Sequence, residues 1–190
     1  EGLDPSELEY ADVGAGSGYF IGALNELGCK GVAGYEVNAA LVREGNHFMG
    51  DESLSIFERG EVEALCESLE ADVLSLIGVL EHVQNPRNLL AAISANPRVR
   101  YLFLAVPMFS TSVFTEIAFP TVYPRHLSIG HTHLFTEASI KHFANEYGFS
   151  PMSAWWFGTD MLDIFRSVWV TASQQDPDSA NLPNLWEKEF

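Results

Sequence analysis

Positive charge is scarce in this sequence: ten Lys and Arg stand against 26 Asp and Glu, a formal net charge of −16. A surface that acidic repels phosphate backbones and anionic bilayers, so no nucleic-acid substrate is expected. Cysteine is scarcer still. Cys29 and Cys66 lie far apart and form no C-x-x-C pair, which leaves two ordinary thiols of a reducing compartment and a cytoplasmic setting. No apolar run approaches the roughly 20 residues that a bilayer span requires, no signal peptide is visible, and there is no internal repeat. The first residue is Glu1 rather than Met, from which an upstream segment is expected.

What is present suits a folded domain. The 190 residues are 47% hydrophobic and 19% charged, enough for one full core. Short apolar runs alternate with helical patterns, the signature of a parallel α/β sheet. Strands are predicted at 8–13, 31–37, 53–60, 72–80 and 99–106, with a sixth at 150–157. Phe20, Ala23, Leu24 and Leu27 recur at helical spacing before Gly28, and Asn38 is placed to cap the next helix. Asn85 and Pro86 open another helix, whose Leu89, Leu90 and Ile93 face inward. Residues 108–135 carry no clean period and are rich in Phe, Tyr, Pro and His, which reads as a long loop over a site. Order returns with Thr136 as a cap and Ile140, Phe143, Ala144 and Tyr147 on one helical face, followed by a last helix at 159–172. The domain is thus expected over 1–172, with a polar tail at 173–190.

Three glycines, Gly14, Gly16 and Gly18, fall in five positions where the first strand turns into the first helix. Bare backbone there lets a nucleotide-like ligand come close. Neither register completes G-x-G-x-x-G, because the last position holds Tyr19 or Ile21. About 18 residues beyond Gly18, Glu36 ends the second strand, where a carboxylate matches a ribose diol.

The stretch "DVGAGSG" (12–18) resembles the first motif of class I S-adenosylmethionine-dependent methyltransferases. "DVLSLIGVLEHVQNP" (72–86) is similar to the family segment in which a buried strand ends in Glu-His-Val before a helix. "LFLAVP" and "GHTHLFTEASIKHFANEYGF" extend the likeness, and the latter looks like the histidine-bearing turn of ubiquinone-biosynthesis-type methyltransferases. The resemblance covers about 8–157. It implies a Rossmann-like, doubly wound, mostly parallel sheet of order 3-2-1-4-5 with strand six beyond, the usual seventh strand being absent from this chain. It also implies S-adenosylmethionine as cofactor, with Asp12, Gly14, Gly16, Gly18 and Glu36 in contact with it. Gly78, Val79 and Leu80 are carried over to the adenine and methyl-donor pocket, and Glu61 to the adenine amino group.

Transfer to a hydroxyl needs a base, and histidine is the usual group near neutral pH. His82, His126, His131 and His133 are the candidates, with Glu81 as a neighbouring acid; His131, between the aromatic loop and the closing helix, is selected. Each also has a structural alternative, as loop support or packed ring. In the quinone-pathway O-methyltransferases an acid three positions before the Glu of Glu-His helps hold a divalent metal. Gly78 stands there, so no metal is expected. The acceptor is read as a small molecule. Phe109, Phe114, Phe119, Tyr123, Trp155 and Trp156 offer either an apolar pocket for it or core, and Arg125 offers a cation for an acidic group. Two alternatives remain. A nicotinamide-dependent oxidoreductase would call for G-x-G-x-x-G and commonly Tyr-x-x-x-Lys, neither of which is present; a non-catalytic cofactor-binding module would keep the glycine loop without the base.

Overall fold

The structure, a computed structural model, describes residues 4–127, 130–156 and 160–175. Five strands, β1 (Glu9–Val13), β2 (Gly31–Glu36), β3 (Leu54–Ile56), β4 (Val73–Ile77) and β5 (Tyr101–Ala105), form one parallel sheet in the order β3-β2-β1-β4-β5. Between and after them run α1 (Tyr19–Glu26), α2 (Ala39–Met49), α3 (Val62–Ser68), α4 (Pro86–Ala95), α5 (Thr111–Ala118), α6 (Glu137–Glu146) and α7 (Asp160–Gln175).

The register shows why both faces are covered. Paired residues of parallel strands point to one side, so Ala11 and Ala33 share a face, as do Val13 and Tyr35. That face meets Val62, Cys66, Leu89, Leu90 and Ile93 of α3 and α4, with Ile140 and Phe143 of α6 against its rim. The opposite face carries Asp12, Gly34, Ser75 and Phe103, and is covered by Ile21 of α1 and Val42 of α2 with Leu54. In β4, Leu74, Ser75 and Leu76 are all buried, as expected of a strand covered on both sides.

Local signals set the helix starts. Asn38 accepts the Ala40 N–H, Asn85 that of Asn88, and Thr136 with Ser139 completes a reciprocal capping box.

Four expectations are corrected. In α1 the buried residues are Ile21 and Leu24, while Leu27 is 78% exposed and Ala23 is exposed, because the helix ends before Leu27 can turn inward. Residues 111–118, expected as loop, form α5, capped by the Ser110 hydroxyl and packed on α7. The sixth strand is not formed over 150–156: Met152 (81%) and Trp155 (84%) are exposed, and no strand edge pairs with them. The last helix runs on through Gln175 into the segment expected as tail. Phe157, Thr159 and the rest of that tail, 176–190, lie outside the described residues.

Candidate active site

The carboxyl ends of β1 and β4 lie side by side where the strand order reverses, the crevice in which open α/β sheets bind ligands. The chain leaves β1 through the three glycines. All have positive φ: 81° at Gly14, 57° at Gly16 and 79° at Gly18. Gly14 is needed twice over, since a Cβ there would stand 2.4 Å from Val79 Cγ2. A Cβ on Gly16 would meet nothing within 4 Å, so this middle glycine borders open space. The loop is pinned to β2 by main-chain bonds: Gly14 and Ala15 both donate to the Tyr35 carbonyl, at 2.7 and 3.1 Å.

Glu36 continues this pinning. It is buried, with one carboxylate oxygen accepting the Gly16 N–H and the other the Asn38 N–H, each at 2.9 Å. Two of its roughly four acceptor positions are thereby used, and a diol can still be bound by the others. Asp12 lies beneath, 3% exposed, taking the Ser75 hydroxyl at 2.6 Å. Burial raises its pKa, the Ser75 bond opposes that rise, and the nearby Glu36 charge adds to it.

The other rim starts where β4 ends. Gly78 (φ 66°) turns the chain, Val79 packs on Gly14, and Leu80 is fully buried. Glu61 stands exposed at the end of the short turn after β3, which starts at Arg59.

Glu81 is 4% exposed, and its Oε2 is buried without a hydrogen-bond partner. His82 Nδ1 lies 2.8 Å from the Gly130 carbonyl oxygen, and His131 Nδ1 lies 2.9 Å from that of His126. A carbonyl oxygen only accepts, so both imidazoles carry a proton on Nδ1, and in the neutral ring the lone pair is on Nε2. The two rings meet edge to face, 4.8 Å between centroids. Ligand-type atoms of Glu81, His82 and His131 all lie within 4.8 Å of one another, a carboxylate and two imidazoles able to share a proton or, chemically, a divalent cation.

Thr132 holds this assembly together, its N–H and hydroxyl both donating to the Glu81 carbonyl, at 2.8 and 2.9 Å. The three clustered histidines of the sequence thus separate. His131 joins Glu81 and His82, His126 pairs with Glu116, and His133 stacks on Phe135 beside Thr132. Of the aromatic candidates, Phe109 and Phe114 pack edge to face with their rings largely in solvent, while Tyr123 and Trp156 are exposed. Arg125 is bound to Asp163 of α7. Sequence reasoning missed Glu116 and Thr132, because their partners are main-chain groups remote in the chain, Arg125 to Leu127 for Glu116 and Glu81 for Thr132.

Residues 2–154 match the family model described as a methyltransferase domain, four fifths of the chain's length. The chain belongs to this family. Its members are S-adenosylmethionine-dependent methyltransferases of class I, and S-adenosylmethionine is the cofactor the family implies. The open backbone at Gly16 and the unfilled acceptor positions of Glu36 fit that cofactor.

Solved structures share the fold at low identity. One is the methyltransferase in complex with the Haloferax volcanii Trm112 methyltransferase activator (15% identity, TM-score 0.55, 74% of this chain and 61% of that one). Another is an O-methyltransferase family protein from Burkholderia thailandensis (14%, 0.57, 78% and 48%). A third is a SAM-dependent methyltransferase from Archaeoglobus fulgidus (14%, 0.54, 85% and 78%). The chain therefore spans 61% and 48% of the length of the first two. No curated protein matches. No helix among the described residues is long and apolar enough to cross a membrane.

Proposed function

We propose that this methyltransferase moves a methyl group to the oxygen of a small-molecule acceptor, with His131 removing the hydroxyl proton. The observation that carries this reading is the hydrogen bond from His131 Nδ1–H to the His126 carbonyl, which leaves Nε2 basic beside Glu81 and His82. When bound, S-adenosylmethionine supplies a methyl carbon activated by its sulfonium. Gly14, Gly16 and Gly18 give it bare backbone, Glu36 takes the ribose hydroxyls, and Asp12 braces the loop from below. Gly78 and Val79 line the adenine side with Leu80 buried behind them, and Glu61 stands at the adenine amino group. The acidic lining suits a ligand that carries positive charge. His82 and Glu81 take up the proton's charge next to the base, with no metal required. Phe109, Phe114 and Tyr123 face the acceptor, and a small molecule suits so acidic a surface better than a nucleic acid. The same charge and the two free thiols suit the cytoplasm.

The test is His131→Ala against a panel of hydroxyl acceptors. Transfer is expected to fall by roughly 10²- to 10⁴-fold, with S-adenosylhomocysteine affinity kept within about twofold. Full transfer by the variant overturns the base. Transfer abolished by a chelator and restored by magnesium or manganese overturns the metal-free arrangement. Tight cofactor binding with no transfer to any acceptor favours the binding module, and thermal stabilisation by NADH alone favours the oxidoreductase.

A further inference from the structure

The segment 108–135 leaves and returns at one place: Phe109 N–H donates to the Phe135 carbonyl at 2.7 Å, and Phe135 N–H to that of Pro107 at 3.2 Å. Inside it, Glu116 of α5 is a buried carboxylate whose side chain is 6% exposed. It accepts the N–H groups of Arg125 (2.9 Å), His126 (2.9 and 3.1 Å) and Leu127 (2.8 Å), and contacts His126 Nδ1 at 2.9 Å. Burial pushes its pKa up, but these donors outweigh burial and hold it at about 2. A buried charge is tolerated only when satisfied to this degree.

Three successive N–H groups aimed at one carboxylate fix three successive peptide planes. The His126 carbonyl that follows is therefore fixed in direction, and it is this carbonyl that receives the His131 Nδ1–H. We propose that Glu116 is a positioning residue: through the His126 carbonyl it sets the tautomer and direction of the His131 ring without touching the reacting groups. The proposal rests on the reading of His131 as the base. Glutamate suits the role specifically. Asp is one methylene shorter, and Gln would turn an NH₂ toward donors that need an acceptor.

The test is the nitrogen NMR pattern of histidine-labelled full-length protein near pH 8, with a chelator present. Wild type is expected to show His131 protonated on Nδ1. In Glu116→Gln and Glu116→Ala the His131 signals are expected to average toward mixed tautomers, with S-adenosylhomocysteine affinity within about twofold. Where an acceptor is known, kcat is expected to fall roughly ten- to a hundredfold with little change in KM. Asp163→Asn, which cuts the Arg125 tie to α7 instead, is expected to leave the His131 pattern as in wild type and controls for general loosening; should the Glu116 variants fail to fold, the wild-type tautomer decides.

Protonation on Nε2 in the wild type overturns the proposal. So does an unchanged tautomer in a folded Glu116 variant, or a shift in Asp163→Asn as large as in Glu116→Gln. Because the tautomer is read without methyl transfer, a failure of His131 as base leaves this measurement standing and distinguishable.

Discussion

The two rims of the crevice are built by different means. The donor rim is short and made of main chain: Gly14 and Ala15 on the Tyr35 carbonyl, Gly16 on Glu36, all within one β-α-β unit. The opposite rim is a long excursion held by side chains reaching back to main chain. Glu116 gathers three N–H groups, Thr132 caps the Glu81 carbonyl, Arg166 donates to the Tyr123 carbonyl, and Asp163 holds Arg125. A main-chain rim has little freedom to vary, since its geometry is set by backbone bonds rather than by exchangeable side chains. A side-chain rim can change its lining while keeping its anchors, which suits the half of the site that must fit an acceptor.

The sharpest way to break this contrast is inside the glycine loop. Gly14→Ala is expected to cost roughly 2–5 kcal/mol of stability, the sum of a left-handed backbone and crowding against Val79. Adding Val79→Ala should recover the crowding share. Gly16→Ala has the backbone cost alone, about 1–2 kcal/mol, because its Cβ would enter open space. That space is where the cofactor is expected, so its affinity for S-adenosylhomocysteine should fall at least about tenfold more than the stability loss explains. Denaturant melts paired with calorimetric titration separate the two. If Gly14→Ala and Gly16→Ala behave alike in both measurements, the loop is a plain turn.

The side-chain rim should yield to acid. The Glu116 carboxyl sits at about 2 in the fold against 4.5 for an ordinary glutamate. A depressed pKa contributes stability that is complete above about 4.5 and is lost as pH falls toward 2. The shift corresponds to about 3 kcal/mol at neutral pH. His126 Nδ1 meets Glu116 directly, and Arg125, whose N–H Glu116 accepts, carries its guanidinium to Asp163. Glu116→Gln should therefore be less stable than wild type at pH 7 and converge with it between pH 4.5 and 2. A gap that stays constant over that window would show the charge to be irrelevant to the clamp.

The same division decides what could be read from the sequence. Asn38, Asn85 with Pro86, and Thr136 were legible as caps because capping is settled within four residues. The glycine spacing and Glu36 were legible for a similar reason, both belonging to one supersecondary unit. Helix α5 was hidden because "TSVFTEIA" is rich in β-branched residues, poor helix formers that here depend on the Ser110 cap and on α7 for support. Helix α3 offers only Val62 and Cys66 as buried positions, too few to show a period. "SPMSAWWF" has strand composition, but composition supplies no neighbouring edge, and 150–156 joins no strand of the sheet, with Met152 and Trp155 exposed. At the site, the grouping of Glu81 and His82 with His131 depends on contacts across some 50 residues, which spacing does not encode.

Glu36 is where the two kinds of support meet, a side chain at work in the main-chain rim. Glu36→Ala is expected to weaken S-adenosylhomocysteine binding by roughly 1.5–3 kcal/mol, the range for hydrogen bonds to a charged group. Loss of the Gly16 and Asn38 N–H partners alone could loosen the loop, so affinity by itself does not prove a bond to the ribose. Analogues lacking a ribose hydroxyl separate the two contributions. If the carboxylate binds the sugar, wild type should discriminate against the deoxy analogue and Glu36→Ala should not, the two losses failing to add. Equal discrimination by both proteins would reduce Glu36 to a loop brace, and unchanged affinity in the variant would remove it from the cofactor site.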